Sequence, residues 1–189
     1  MNTRALTALV VHESMFHNTA TIAEVVAAGL TTEGVEVTCV DVAEAPPLET
    51  VDVDLLVIGA PTHAFSLSRP GTREEAVRQG APAEHARTGI REWLAAAPSH
   101  PANSGLAAVF DTRVTKVRKL PKTAGTRVGH LLKRLGFTLV QRPEPFLVEN
   151  IKGPLIDGQV ERASEWGREL ARDAAERLSA GATDDTERD

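Results

Sequence analysis

The chain has 189 residues but one cysteine and no tyrosine. A single thiol excludes an internal disulfide and a thiolate metal cluster. Cys39 lies in the alternating run from Val35 to Val42, where a buried, inert thiol is the default expectation. Aromatic residues are only 4%, so few rings are available to stack on a planar ligand. No apolar run reaches the length of roughly 20 residues that a membrane-spanning helix needs, and no basic-then-apolar segment opens the chain. A cytoplasmic protein with no membrane partner is therefore expected. Positive charge is not in excess: the net charge is −5, which argues against nucleic acid as a partner. No G-x-G-x-x-G follows a strand, and no G-x-x-x-x-G-K-[ST] occurs. Ser14 lacks a G-x-S-x-G elbow, and His85, His100 and His130 have no metal-ligand spacing.

What is present is ordinary in amount and regular in pattern. Apolar residues make up 42% and charged residues 25%, as in a globular protein with a sizeable core. Strand-like apolar runs fall at Leu6 to Val11, Val35 to Val40, Asp54 to Gly59 and Leu106 to Phe110. A fifth starts at Phe137, is interrupted by Arg142-Pro143-Glu144-Pro145, and resumes from Phe146 to Val148. Helical spacing fills the gaps: Ile22 to Leu30, Ile90 to Ala97, Thr123 to Leu135 and Gln159 to Leu178, with Trp93 and Trp166 as core anchors. A further short helix is expected at Gly71 to Gln79, inside the long connection from Ala60 to Ala86. Strands alternating with helices imply parallel pairing by right-handed crossovers. The predicted fold is α/β, a three-layer sandwich around a doubly wound, five-stranded parallel sheet of order 2-1-3-4-5. Residues 1–180 are read as one domain, and Gly181 to Asp189 as a disordered acidic tail.

The stretch from Leu9 to Ala23 organises this scheme. An apolar strand crosses a polar turn, Ser14 to Thr19, and enters a helix. The first amides of a helix lack intrahelical acceptors, and the helix dipole adds positive charge there. With Ser14, Asn18 and Thr19 alongside, such a turn suits a phosphate monoester. The same residues also serve as ordinary helix caps. At the carboxyl edge of the sheet this turn converges with Pro61-Thr62-His63-Ala64-Phe65 and with Asp111-Thr112-Arg113. The second segment offers a flat apolar surface with Phe65. The third offers a carboxylate and a hydroxyl for the edge of a heterocycle. A planar, phosphorylated cofactor fits the three together.

On those residues the chain resembles flavodoxin-like, FMN-binding proteins, over Ala5 to about Leu178. Ser14-Met15-Phe16-His17-Asn18-Thr19 resembles the family's phosphate loop, T/S-x-T-G-x-T. Ala60 to Phe65 resembles the loop bordering the isoalloxazine ring, and Asp111-Thr112-Arg113 falls where the family places the second flavin-edge loop. The resemblance implies non-covalent FMN and electron or hydride transfer. The electron source would be a redox partner protein or NAD(P)H, met at the flavin edge. Two versions follow: a one-electron shuttle, or a small flavin reductase passing hydride to a quinone-like acceptor. His17 stands where the family has glycine, and Phe16 replaces a hydroxyl residue. The alternative is therefore a flavin-free descendant of the fold in which His17 has impaired the loop.

Two further features stand out. His12 is expected to be structural, whereas His63, in the second segment, reads equally as structural or as a group that supplies a proton or stabilises a reduced, anionic flavin. The run from Arg113 to Lys122 holds Arg113, Lys116, Arg118, Lys119 and Lys122 with no acid. It reads either as a solvated loop or as a dock for anions.

Overall fold

The computed structural model describes residues 4–63, 66–98, 105–115 and 123–186. Six strands are present among them: β1 (Thr7–His12), β2 (Glu36–Asp41), β3 (Leu55–Pro61), β4 (Leu106–Val114), β5 (Thr138–Leu139) and β6 (Glu144–Val148). Five α-helices accompany them: α1 (Asn18–Thr32), α2 (Pro70–Arg78), α3 (Ile90–Ala95), α4 (Ala124–Arg134) and α5 (Gln159–Thr186). All strand pairs are parallel, in the order β2-β1-β3-β4-β5 that the alternation of elements predicts.

The fifth strand departs from expectation. It is two strands, each paired with a different part of β4. β5 pairs with Leu106 and Ala107, while β6 pairs with Phe110 to Val114. Pro143 and Pro145 lack the N–H that a continuous ladder needs, so the chain breaks pairing and resumes on the far half of β4. Pro145 is tolerated because β6 is an edge strand. β4 is correspondingly longer than its apolar run. Asp111, Thr112 and Arg113, expected in a loop after the strand, lie within it, facing Pro145, Phe146 and Leu147.

Strand alternation divides the core between two faces. Ala8, Val10, Val57, Ala108 and Phe110 face α1 and α5, where Trp166 is buried. The rings of Phe110, Phe146 and Trp166 meet edge to face at centroid distances of 5.8 to 6.0 Å. Leu9, Val11, Leu56, Ile58 and Val109 face α3 and α4, where Trp93 donates its indole N–H to the Pro46 carbonyl at 2.9 Å. Both tryptophans are thus core anchors. Burying each large side chain stabilises the fold by about 1.5–3 kcal/mol. Gly59 is fixed by the same packing: a Cβ there would come within 2.1 Å of the Phe110 ring.

The helices follow their sequence signals at one end more closely than at the other. Thr123 caps α4 by accepting from the Thr126 amide at 3.3 Å. α5 continues to Thr186, so the expected tail boundary at Gly181 falls inside a helix. Among the described residues no helix is long and apolar enough to cross a membrane. Cys39 is half-buried, and burial pushes its thiol up to about 11, in keeping with an unreactive role.

Candidate functional site

A cavity of about 530 Å³ opens at the carboxyl ends of β1, β3 and β4. Parallel strands all deliver their following loops to this edge, which is why segments distant in sequence meet there. Its walls include Ser14, Met15, Phe16, Asn18 and Thr19 from the first turn. Pro61, Thr62 and His63 come from the end of β3, and Thr112 and Arg113 from β4. Ala64, Phe65, and Lys116, Arg118, Lys119 and Lys122 of the basic run lie outside the described residues. Two walls were not anticipated. Gly71, Thr72, Glu75, Ala76, Arg78 and Gln79 bring the face of α2 to the cavity, and Val148 and Ile151 bring the end of β6 and the segment after it.

The hydroxyls of the first turn are bonded within the fold. The Ser14 hydroxyl accepts from the Ala20 amide at 3.2 Å, acting as a cap from outside the helix. Thr19 spends its hydroxyl on Thr112, Oγ1 to Oγ1 at 2.7 Å. Of the first amides of α1, that of Ala20 goes to Ser14 and that of Thr21 to the His17 carbonyl at 2.9 Å. His17, the residue before α1, has φ 64° and ψ −14°, the left-handed geometry that glycine adopts freely. It makes no side-chain cap bond. Its ring is exposed and meets the His85 ring edge to face, 6.1 Å between centroids. His17 is therefore not on the cavity wall, and the imidazole does not crowd the turn. Met15 and Phe16 instead pack against Ala76, Val77, Ala81 and Ala86, which anchors α2 over the turn. On the other side, Gly153 (φ +97°) approaches so closely that a Cβ would come within 2.5 Å of Asn18 Oδ1. Lys152 places its ammonium 6.0 Å from the Phe16 ring centre.

Asp111 is a support rather than a wall. It is fully buried. Its Oδ1 accepts from Arg113 Nε at 2.6 Å, and its Oδ2 from Arg113 Nη2 at 2.8 Å. Oδ2 also accepts from the Thr123 hydroxyl and the Gly125 amide, each at 3.0 Å. The Thr62 hydroxyl lies 3.4 Å from Oδ1 and accepts from the Ala124 amide at 3.1 Å. The expectation that Asp111 reads a heterocycle edge gives way to this arrangement. Residues 111 and 113 project to the same side of β4, and the carboxyl group binds the guanidinium and the start of α4. Arg113 is held in a fixed position on the cavity wall.

Behind this wall lie two further polar clusters. His63 lines the cavity; burial, and secondarily the Arg73 charge, hold its pKa below the ordinary value. Arg73 is fully buried, donating to Ser68 Oγ at 2.9 Å and to the Ala86 carbonyl at 3.1 Å, and paired with Glu92 at 3.1 Å. Glu13, also buried, accepts from the Ile90 amide at 2.9 Å through Oε2, while its Oε1 has no partner among the described residues. Burial pushes its pKa up. At the other edge, His12 and His85 place Nδ1 at 3.9 and 3.5 Å from Asp41 Oδ2. Burial lowers the pKa of His12, against the pull of Asp41. His12 is outside the cavity wall, in line with a structural role. Neither cluster was visible in the sequence, since each joins residues from separate connections.

No protein-family model and no curated protein matches the chain. Solved structures do. The chain is similar to a flavodoxin from the domain Archaea, at 16% identity and a TM-score of 0.62, covering 90% of this chain and 99% of that one. It is similar to oxidised flavodoxin 1 from Bacillus cereus, at 18% identity and a TM-score of 0.59, covering 88% and 97%. The flavodiiron core from Synechocystis matches at 17% identity and a TM-score of 0.60 over 93% of this chain, which spans only 37% of that one. Likeness at these identities is a likeness of architecture, and with the strand order, the crossovers and the cavity at the sheet's carboxyl edge it leads to one assignment: the chain has the flavodoxin-like fold.

Proposed function

We propose that the cavity holds FMN without covalent attachment and that the protein is a flavin redox protein. One observation carries this reading: a single cavity joins the Ser14–Thr19 turn to Pro61–His63 and to Thr112–Arg113. The residues fit the group. The start of α1 offers amides to a phosphate, with Ser14 fixing the first turn and Asn18 beside it. The left-handed backbone at His17 keeps the turn in the form glycine would give it, while its ring lies against His85. That orientation favours the cofactor-bearing reading over a flavin-free one. Pro61, Thr62 and His63 would border one side of the ring and Thr112 and Arg113 another. Neutral His63 at pH 7 is placed to exchange a proton at the cavity. The flavin supplies the electron chemistry; the chain binds, orients and shields it. The similar flavodoxins and flavodiiron core are consistent with such a role.

The test is direct. The purified chain is titrated with FMN and with riboflavin, following visible absorbance and fluorescence. FMN should bind, with riboflavin at least about tenfold weaker because it lacks the phosphate's charge-assisted hydrogen bonds. A colourless protein indifferent to added FMN overturns the reading. Mixing the loaded protein with NAD(P)H then separates two uses: rapid bleaching identifies a reductase, and no bleaching a shuttle between partner proteins.

A further inference from the structure

Arg113 stands out on the cavity wall. It is buried to nine-tenths, yet it lines an open cavity, and its position is fixed by two hydrogen bonds to a fully buried carboxyl group. Nε and one Nη2 hydrogen are used on Asp111. The N–H groups of Nη1 and the second Nη2 hydrogen have no acceptor among the described residues. Asp111 offsets this charge, but the pair is oriented, with its guanidinium on the cavity wall and its carboxyl group buried behind. The same carboxyl group also answers the Thr123 hydroxyl and the Gly125 amide, at the positive end of α4. Glu144, which feels the Arg113 charge, is itself bonded to Arg162, and Glu75 on the cavity wall is bonded to Arg78. The cavity therefore meets the positive end of a fixed ion pair, whose placement costs no further ordering when an anion arrives.

We propose that Arg113 makes this cavity selective for the anionic, two-electron-reduced form of its flavin; the proposal rests on the FMN reading above. On reduction the oxidised ring takes up two electrons and one proton, which a hydride donor of the NAD(P)H class delivers as one hydride. The product ring carries one negative charge that the oxidised ring lacks. Since the phosphate is common to both forms, a cation near the ring separates them and one near the phosphate does not. Thr112 meets Thr19 in the first turn of α1, whereas Arg113 projects to the opposite side of β4, with Asp111 and the start of α4, away from the amides offered to the phosphate. A fixed guanidinium at the ring end stabilises the reduced state selectively and raises the two-electron potential. The site is thus suited to accepting hydride more than to one-electron transfer at low potential.

The experiment measures the affinity of FMN before and after anaerobic reduction with dithionite, in the wild type, Arg113→Gln and Arg113→Lys. The wild type should hold reduced FMN at least as tightly as oxidised FMN. Arg113→Gln should lower the reduced-to-oxidised affinity ratio about tenfold, which corresponds to about 30 mV for two electrons. Arg113→Lys, which keeps the charge, should retain most of the ratio. The double variant Asp111→Asn/Arg113→Gln removes both charges while keeping polar groups of similar shape. It should show a loss of the same sign but smaller, because no unpaired carboxyl charge is left behind the wall, and it keeps the test open should the single variant prove unstable. An unchanged ratio in both charge-removing variants, with oxidised FMN still bound, overturns the inference and leaves the FMN reading standing. A wild type that binds no FMN overturns both.

Discussion

The hydroxyls of Thr19 and Thr112 meet at 2.7 Å in the buried floor of the cavity, tying the first turn of α1 to the end of β4. Two groups from distant segments satisfy one another, so neither needs a ligand for its hydrogen bond. Removing one leaves the other buried and alone, which costs about 1–3 kcal/mol. Thr112→Val should therefore destabilise by that amount, and Thr19→Val/Thr112→Val by less than the sum of the two single changes. Urea unfolding of the four proteins in a double-mutant cycle measures the coupling.

His17 carries a left-handed backbone with its ring outside the cavity. His17→Gly should relieve that backbone, stabilising the fold by up to about 1 kcal/mol. FMN affinity should change little, since no donor in the turn is gained or lost. Denaturant midpoints and an FMN titration check the two halves separately. A large gain in affinity would show that the imidazole obstructs the site after all.

Gly153 presses on Asn18 from the segment after β6. Gly153→Ala would introduce a Cβ at 2.5 Å from Asn18 Oδ1 at a φ of +97°, unfavourable for alanine. A loss of about 1–3 kcal/mol is expected. Displacement of Asn18 should also weaken FMN more than riboflavin, because the disturbance is at the phosphate end. Binding of both ligands to the variant tests this.

The buried acid and the buried imidazoles oppose one another in pH. Burial lowers the pKa values of His12 and His63, so the unfolded chain binds protons that the folded chain refuses. Their contribution is present above the ordinary value of 6.5 and is lost as the pH falls through it. Glu13 has a raised pKa. Its contribution is present below the ordinary value of 4.5 and is lost as the pH rises toward the folded value. Glu13→Gln keeps an oxygen for the Ile90 amide and removes the ionisation. The variant should be at least as stable as the wild type at pH 7, and should lose less stability between pH 5 and pH 7. Thermal midpoints across that range decide it.

The apolar runs of Leu55 to Ile58 and of Ala107 to Phe110 were legible as buried strands because both faces of the sheet are covered. The Ser14–Thr19 turn was legible because a strand, a polar turn and a helical period follow one another without interruption. Asp111 was misread for a register reason. β6 extends the ladder past the apolar run, and an inward-facing position near a helix start looks, in sequence, like a polar loop. The walls from α2 and Ile151 depend on how long connections fold back, which local periodicity does not encode. The departure at His17 was legible, but the direction of its ring depended on His85, a residue from a different connection.

The contact between Asn18 and Gly153 joins a residue near the amino terminus to one just before the last helix. The turn and the residue that presses on it thus come from segments far apart in the chain, and the two are brought together only in the assembled fold. A ligand that needs both would report on that assembly, adding to the fold's free energy with the logarithm of the ratio of its concentration to the dissociation constant.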